Sequence, residues 1–456
     1  LASLFVPTCL PPDIVPSQPM KIVIFTIGTQ GDGRPFVALG QGLVAHGHDV
    51  CIVTSERHKS LILGGGLSFA PIASDFADLM AQEHAAMDKG NQLRIGRQMS
   101  RALCDWTPLW VNQALEATKD ADLIIGSGSG TALGASIAEK RGLPFVQAQF
   151  MPMTPSRNVP PLWPNPRFRL PGVLNLALTH CARVLIWRFM SRPIAIMRRE
   201  LALPPIAWAG PWSEKDANGS RRYLLYAFSR HLQPQPPDWP KDRITVTGNW
   251  FYDQKNDWVP PPALEAFLAA GPKPLYVGFG SMMCGNPKAF TQLILKALRL
   301  TGRRAVIATG WGALKNQAGH EEDGLFFIDH APHDWLFPRM SMAVHHGGAG
   351  TVAAAARAGL PQIVIPFLAD QFYWSWRLHE IGVSPTILSR KHLTPETLAL
   401  AIGRASALRI TTAAHTLGPL INAEHGIDRA IETLSDWGLL GEKNPSGRSA
   451  EAEGAA

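Results

Sequence analysis

Short apolar runs alternating with longer amphipathic segments, first from Lys21 and again from Leu275, constrain this chain more than any other feature. In the first half KIVIFTIG is followed by an amphipathic stretch from Pro35 to His46, then DVCIVTS, and later ADLIIGS and LPFVQAQ. The pattern restarts with LYVGFGS (Leu275 to Ser281) and continues through RRAVIATG, LFFIDH, MAVHH and QIVIPF. Strands covered on both faces by crossover helices read as unbroken apolar runs, so each half predicts a parallel sheet wrapped by helices. The expected fold is therefore α/β, with two Rossmann-like doubly wound domains facing a cleft. Between them WFYDQKNDWVPPP (Trp250 to Pro262), rich in proline and polar residues, reads as a linker. This divides the chain into domains at 20–249 and 263–440, joined by 250–262, with the last helix free to pack back on the first domain.

The ends read differently. Residues 1–19, LASLFVPTCLPPDIVPSQP, lack a basic n-region and are broken by prolines, which predicts a disordered leader and not a secretory signal. The tail, 441–456, is rich in alanine, glycine and glutamate and is expected to be disordered. Five cysteines (Cys9, Cys51, Cys104, Cys181, Cys284) are an odd number without CxxC spacing, which argues against a disulfide framework or zinc site and for a reducing, cytoplasmic setting. Basic residues give a net charge of +7 but form no block of the kind that binds nucleic acid. No unbroken apolar run reaches about eighteen residues, so no membrane-spanning helix is expected.

One segment concentrates chemistry. Val344 to Gln371, VHHGGAGTVAAAARAGLPQIVIPFLADQ, reads as strand, glycine turn, helix and strand, followed by an acid beside an amide. Glycines at a helix start collect unpaired N–H groups and the positive end of the helix dipole, a combination that suits a phosphate or diphosphate. The turn is expected to run Gly347, Gly348, Ala349, Gly350, with Thr351 opening the helix. Asp370 and Gln371 follow the next strand, so both clusters should share the rim at the carboxyl ends of the strands. Plain packing explains glycine turns as well, and a helix cap would explain Asp370. A dinucleotide site is not supported: GxGxxG fails at GSGSGTALG, where Leu133 takes the third position, and at GFGSMMCG, where Met283 does. A GxxxxGK[ST] loop is absent.

With DHAPHDWLFPRM (Asp329 to Met340) before it, the segment resembles the donor-binding signature of nucleotide-sugar-dependent glycosyltransferases of the GT-B fold. It is most similar to sterol 3β-glucosyltransferases and to the glycopeptide and macrolide glycosyltransferases, over roughly residues 275 to 385. The resemblance implies that His346, Ser281 and the amides of Gly348, Ala349, Gly350 and Thr351 hold the donor diphosphate, and that Asp370 and Gln371 hold the donor sugar. It places the nucleoside near Trp311 and near Asp329, His330, Ala331 and His333. Neighbouring strand residues face opposite ways, which leaves His345 to packing. In the first domain GTQGDGRP (Gly28 to Pro35) carries Asp32 where related enzymes carry a catalytic base; its ordinary alternative is a helix cap. Asp32 and His346 are thus the catalytic candidates.

No metal is expected. The one DxD spelling, Asp120 and Asp122, falls on the amino side of a buried strand, far from the rim. The implied reaction is inverting transfer of a hexose from a nucleotide diphosphate sugar, UDP-glucose foremost, without cofactor. Residues 151–260 hold half of the tryptophans and the basic amphipathic stretch Arg167 to Leu203, which suits a lipophilic hydroxylated acceptor or a peripheral membrane contact, with core packing the plainer explanation. Two other readings stay open: a non-catalytic partner protein of the same fold, and a nucleotide-sugar epimerase. The oligomeric state is not legible.

Overall fold

The computed structural model describes residues 19–28, 30–73, 92–162, 170–208, 210–254, 258–280, 282, 286–310, 314 and 324–441. Ser281, Trp311 and nearly all of the expected leader and tail lie outside the described residues. In the first lobe the chain runs β1 (Lys21–Ile27), α1 (Gln30–Ala45), β2 (Asp49–Thr54), α2 (Lys59–Gly64), β3 (Ser68–Pro71), α3 (Gln92–Ala117), β4 (Leu123–Gly128), α4 (Gly130–Arg141), β5 (Phe145–Gln149), α5 (Gly172–Glu200), β6 (Tyr223–Tyr226) and β7 (Ile244–Val246). The second lobe runs α6 (Pro262–Ala269), β8 (Leu275–Gly278), α7 (Pro287–Thr301), β9 (Ala305–Ala308), β10 (Leu325–Ile328), α8 (His333–Leu336), β11 (Ala343–His345), α9 (Ala349–Arg357), β12 (Gln362–Val364), α10 (Gln371–Glu380), α11 (Pro395–Ala405), α12 (Leu408–Asn422) and α13 (Gly426–Asp436).

The sheets have orders β3-β2-β1-β4-β5-β6-β7 and β10-β9-β8-β11-β12, and their ladders are parallel. Chain order reverses between β1 and β4 in one and between β8 and β11 in the other. Ligands of such sheets sit at these switch points, outside the carboxyl ends of the strands. β1 explains why the sheet is buried on both faces: Ile22 and Ile24 enter one apolar cluster with α1, while Val23, Phe25 and Ile27 enter another with α3 and α4. The pairing of two α/β lobes is as the sequence reading has it.

Two sets of contacts join the lobes. Tyr226, Phe228 and Val246 of the first pack with Val352, Tyr373 and Trp374 of the second in one buried seam, and the Tyr373 hydroxyl donates to Gln233 Oε1 at 2.6 Å. At the end of the chain α13 returns to α1, where Ala430, Ile431 and Leu434 share the cluster of Ile22 and Ile24. Gly42 lets the helices approach, since a Cβ there would lie 2.5 Å from Ile427.

Three features depart from the sequence reading. α1 begins at Gln30 instead of Pro35, because the first turn of a helix needs no internal partner for its N–H groups and so tolerates the polar glycine-rich start. Strands β3, β6 and β7 were not foreseen; each is only three or four residues long, too short to carry a period. α5 is long and apolar enough by composition to cross a bilayer, although arginines interrupt its apolar runs. Its carboxyl end is fixed in the lobe by Arg198, which forms a buried two-pronged pair with Glu139 of α4 at 2.7 and 2.9 Å.

Ile431 is 4% exposed. Truncating it to alanine should cost about 2–4 kcal/mol. Because its partners belong to the first sheet, hydrogen exchange should accelerate in β1 and β2 and stay unchanged in β8 and β11. Equal acceleration in both sheets would contradict this packing.

Candidate functional site

The turn after β11 is built by His345. Its ring is fully buried; Nδ1 accepts from the Gly347 N–H at 3.0 Å and Nε2–H donates to Gln362 Oε1 at 3.0 Å. These two bonds fix the tautomer, and burial holds the ring neutral by pushing its pKa down to about 3. Gly347 sits at φ +91, and a Cβ there would meet Val364 at 2.6 Å. Gly348 then precedes α9, which opens at Ala349 rather than at the expected Thr351. Val352 makes the first internal bond, to Gly348 O at 3.0 Å. The N–H groups of Ala349, Gly350 and Thr351 accordingly have no carbonyl within the helix, and they lie at the positive end of its dipole.

His346 faces away from His345, toward the end of β8. Room for its ring comes from two glycines: a Cβ at Gly348 would lie 2.5 Å from Nε2, and one at Gly280 would lie 3.3 Å from Cε1. Nδ1 is sealed from solvent without a hydrogen-bond partner among the described residues. Burial lowers the ring's pKa to about 4, so it is neutral at pH 7. A buried, unsatisfied polar atom is costly, and here it lies beside unpaired amides at a helix start.

Beyond β12 the chain reverses at Ala369, a non-glycine residue at φ +53, and enters α10. Gln371 is 3% exposed, and its Oε1 accepts from the N–H groups of Phe367 (2.7 Å) and Leu368 (3.1 Å). Its amide nitrogen rests 3.3 Å from Met282 Sδ. The oxygen is committed to shaping the loop, which leaves the NH₂ end of Gln371 for a ligand. Asp370 makes no side-chain cap bond. Its carboxyl is raised to about 7, first by burial and next by the negative charge of Asp32 across the cleft.

Asp32 reaches that position from the first turn of α1, with its carbonyl accepting from Thr26 Oγ1 at 2.9 Å. Its carboxylate lies so close over Gly28 that a side chain there would strike it. Buried His58 stands near enough for the charge of Asp32 to oppose the lowering of its pKa by burial. Two residues along α1, Arg34 crosses between the lobes and places Nη2 3.2 Å from His330 Nε2. His58 and Arg34 were missed in the sequence; Arg34 lies in the quoted GTQGDGRP, but only a fold that faces α1 toward the loop after β10 gives it a partner.

The expected nucleoside residues divide. Asp329 and His330 stay exposed on the rim, with Asp329 Oδ1 accepting from Thr309 Oγ1 at 2.9 Å. Ala331 and His333 belong to the packing of the lobe: Ala331 joins the cluster of Trp335 and Leu336, and the His333 ring stacks on Phe337 at 4.2 Å. The DxD pair is a structural corner. Asp122 Oδ2 accepts from the Lys21 N–H at 2.9 Å and Asp120 lies 3.6 Å from the Lys21 ammonium, at the amino ends of β1 and β4. Among the described residues no cluster of three or more His, Cys, Asp or Glu side chains is arranged to hold a metal.

Residues 22–160 match the profile of the glycosyltransferase family 28 N-terminal domain, and residues 305–418 match that of the erythromycin biosynthesis protein CIII-like C-terminal domain. A sterol 3-beta-glucosyltransferase of Glomerella lagenarium is 34% identical over 436 residues, covering 92% of this chain and 28% of that protein. The sterol 3-beta-glucosyltransferase UGT80A2 of Arabidopsis thaliana is 32% identical over 91% of this chain and 65% of its own length. The chain therefore spans under a third of the fungal relative and about two-thirds of the plant one. Among solved structures, the kitacinnamycin glycotransferase superposes with a TM-score of 0.67 at 18% identity, covering 92% of this chain and 99% of that one. The calicheamicin glycosyltransferase CalG4 gives 0.65 at 17%, covering 92% and 98%.

The raised Asp370 carboxyl predicts a pH-dependent stability. An acid whose folded pKa exceeds its unfolded value stabilises the fold fully below the ordinary 3.8 and loses that contribution as pH rises through about 7. The urea midpoint of the unliganded chain should thus fall as pH rises through that window, and Asp370→Asn should flatten the fall. Parallel pH profiles for the two chains would refute the burial of this carboxyl.

Proposed function

The chain belongs to the glycosyltransferases of the GT-B fold, and from that premise we propose that it moves a hexose, glucose from UDP-glucose, onto the hydroxyl of a lipophilic acceptor such as a sterol. The observation that carries the proposal is the opposition of Asp32 on one lobe to Asp370 on the other, close enough for one charge to shift the other's titration.

In this reading the donor diphosphate lies against the amides of Ala349, Gly350 and Thr351, with the Nδ1 side of His346 as a further contact. Fixed N–H dipoles and the helix end stabilise the charge that grows on the departing diphosphate. Asp370 and the Gln371 amide engage the sugar hydroxyls; an acid near its titration point can donate or accept there. Asp32 is far too weak a base to deprotonate an alcohol in advance, so it takes the proton while the new C–O bond forms. The acceptor oxygen attacks the anomeric carbon opposite the leaving diphosphate, through a transition state with oxocarbenium character, by analogy with glycoside hydrolysis. One C–O bond forms and one breaks, the proton passes to Asp32, and an α-linked donor gives a β-glycoside and UDP. No step in this reading uses a metal, and the DxD pair is engaged with Lys21 at the amino ends of β1 and β4.

The sterol assignment rests on the similarity to sterol 3-beta-glucosyltransferases, and the lipophilic class also fits the apolar character of residues 151–260.

Incubation with UDP-glucose and a panel of sterols and other lipophilic alcohols should add one hexose to an acceptor. Asp32→Asn should lower kcat by about 10²–10⁴-fold while UDP affinity stays near that of the unaltered chain. A near-normal rate in that variant would remove Asp32 from the mechanism. Turnover of UDP-glucose without acceptor would argue for an epimerase instead.

His346 supplies a second test. Its pKa of about 4 in the free chain should rise when a diphosphate binds, so UDP binding should take up protons and tighten as pH falls toward that value. Calorimetry in buffers of differing ionisation enthalpy reads the uptake; His346→Ala should abolish it. Undiminished uptake in the variant would place the diphosphate elsewhere.

A further inference from the structure

In the first lobe α3 and α5 pack side by side, and Gly96 of α3 abuts the Phe189 ring of α5, where a Cβ would lie 3.1 Å away. Each helix exposes two arginines four residues apart, Arg97 and Arg101 on α3 and Arg188 and Arg192 on α5. Like charges at this spacing lie one above the other on a helix and repel. Acids are sparse here: residues 92–104 and 172–199 contain neither aspartate nor glutamate, Asp105 being the nearest on α3, and among the described residues none of the four arginines has a side-chain ion pair. Such an arrangement persists at least cost when an anionic partner neutralises it.

The same pair of helices exposes apolar side chains that water does not favour. Val173 is 67% exposed, Leu174 48% and Ile186 43%, all on α5. The loop after α5 adds Trp208, 77% exposed, and is held to the helix by Arg183, whose guanidinium lies 4.7 Å from the Trp212 ring. Only 17% of the most apolar stretch of α5 is buried. Arginine heads beside exposed aliphatic residues and a surface tryptophan match the boundary of a bilayer, where cations meet phosphates and an indole takes the headgroup level. A nucleic acid or a purely acidic protein would satisfy the charges but not the apolar residues.

We propose that α3, α5 and the Trp208 loop form a docking face for an anionic lipid bilayer. The helices lie on the surface rather than across it, because the buried Arg198–Glu139 pair ties the end of α5 into the lobe. This inference does not depend on the proposed transfer reaction.

The test is flotation of the full chain with vesicles of phosphatidylcholine alone or containing about one-third phosphatidylserine. The chain should float with the anionic vesicles and be released by high salt, since surface charge acts only over a Debye length. Removing one arginine should weaken partitioning about fivefold, so the double variant R97E/R188E should bind more than tenfold less. Trp208→Ala should also weaken binding, whereas reversal of Arg409 and Arg429, exposed on α12 and α13, should not. Absence of binding, equal binding to neutral vesicles, or unchanged binding by a folded R97E/R188E chain would overturn the proposal. So would salt-sensitive dimerisation abolished by the same reversals, which would assign the face to a second copy.

Discussion

Burial of the apolar seam between the lobes is the constraint on which the site depends. Each sheet by itself offers one polar rim to solvent. With Tyr226, Phe228 and Val246 sealed against Val352, Tyr373 and Trp374, the two rims are held face to face. The return of α13 to α1 fastens the same arrangement from behind, so the helix that carries Asp32 is braced by the last helix of the described chain. A hydrophobic contact thereby fixes an electrostatic one: within the narrowed cleft, loss of water makes charge expensive and keeps Asp370 partly protonated and His346 neutral.

That desolvation has a use in the proposed chemistry. Donors already aimed at a departing diphosphate need not reorganise as charge develops on it. The glycine at 348 serves twice, leaving space for the imidazole and opening the helix whose first amides are unpaired. His345 and Gln371, the neighbours of the two candidates, spend their hydrogen bonds on backbone and core, and so hold His346 and Asp370 in place.

Much of this was legible in the residues. The doubled alternation of apolar runs gave the central strands of both sheets, because buried parallel strands leave a period-free signature; the glycine turn and the following helix gave a helix start with unpaired amides. Strand geometry allowed only one of the two histidines to face a ligand, the family resemblance gave that place to His346, and the two internal bonds of His345 fit the packing role left to it. Less was legible wherever the outcome depends on contacts distant in sequence. The motif did not show that the Gln371 oxygen folds back on Phe367 and Leu368, leaving only its NH₂ end free for a ligand. His333 stood in the same motif as His330, but stacking on Phe337 draws it into the lobe. Arg34 gained meaning only once α1 and the loop after β10 were seen to meet. The four arginines of α3 and α5 are separated by about ninety residues of chain, a distance at which no local pattern announces a shared face.

The central claim is that carboxylates from the two lobes occupy one poorly hydrated crevice. Carbon-13 NMR titration of the Asp370 carboxyl, in the unaltered chain and in Asp32→Asn, tests it most directly. Interacting acids titrate as a pair, so removing one charge should move the other. The account predicts a midpoint near 7 for Asp370 that drops when residue 32 is made neutral. A midpoint at the ordinary value of 3.8, indifferent to the substitution, would mean that the lobes do not bring these groups together.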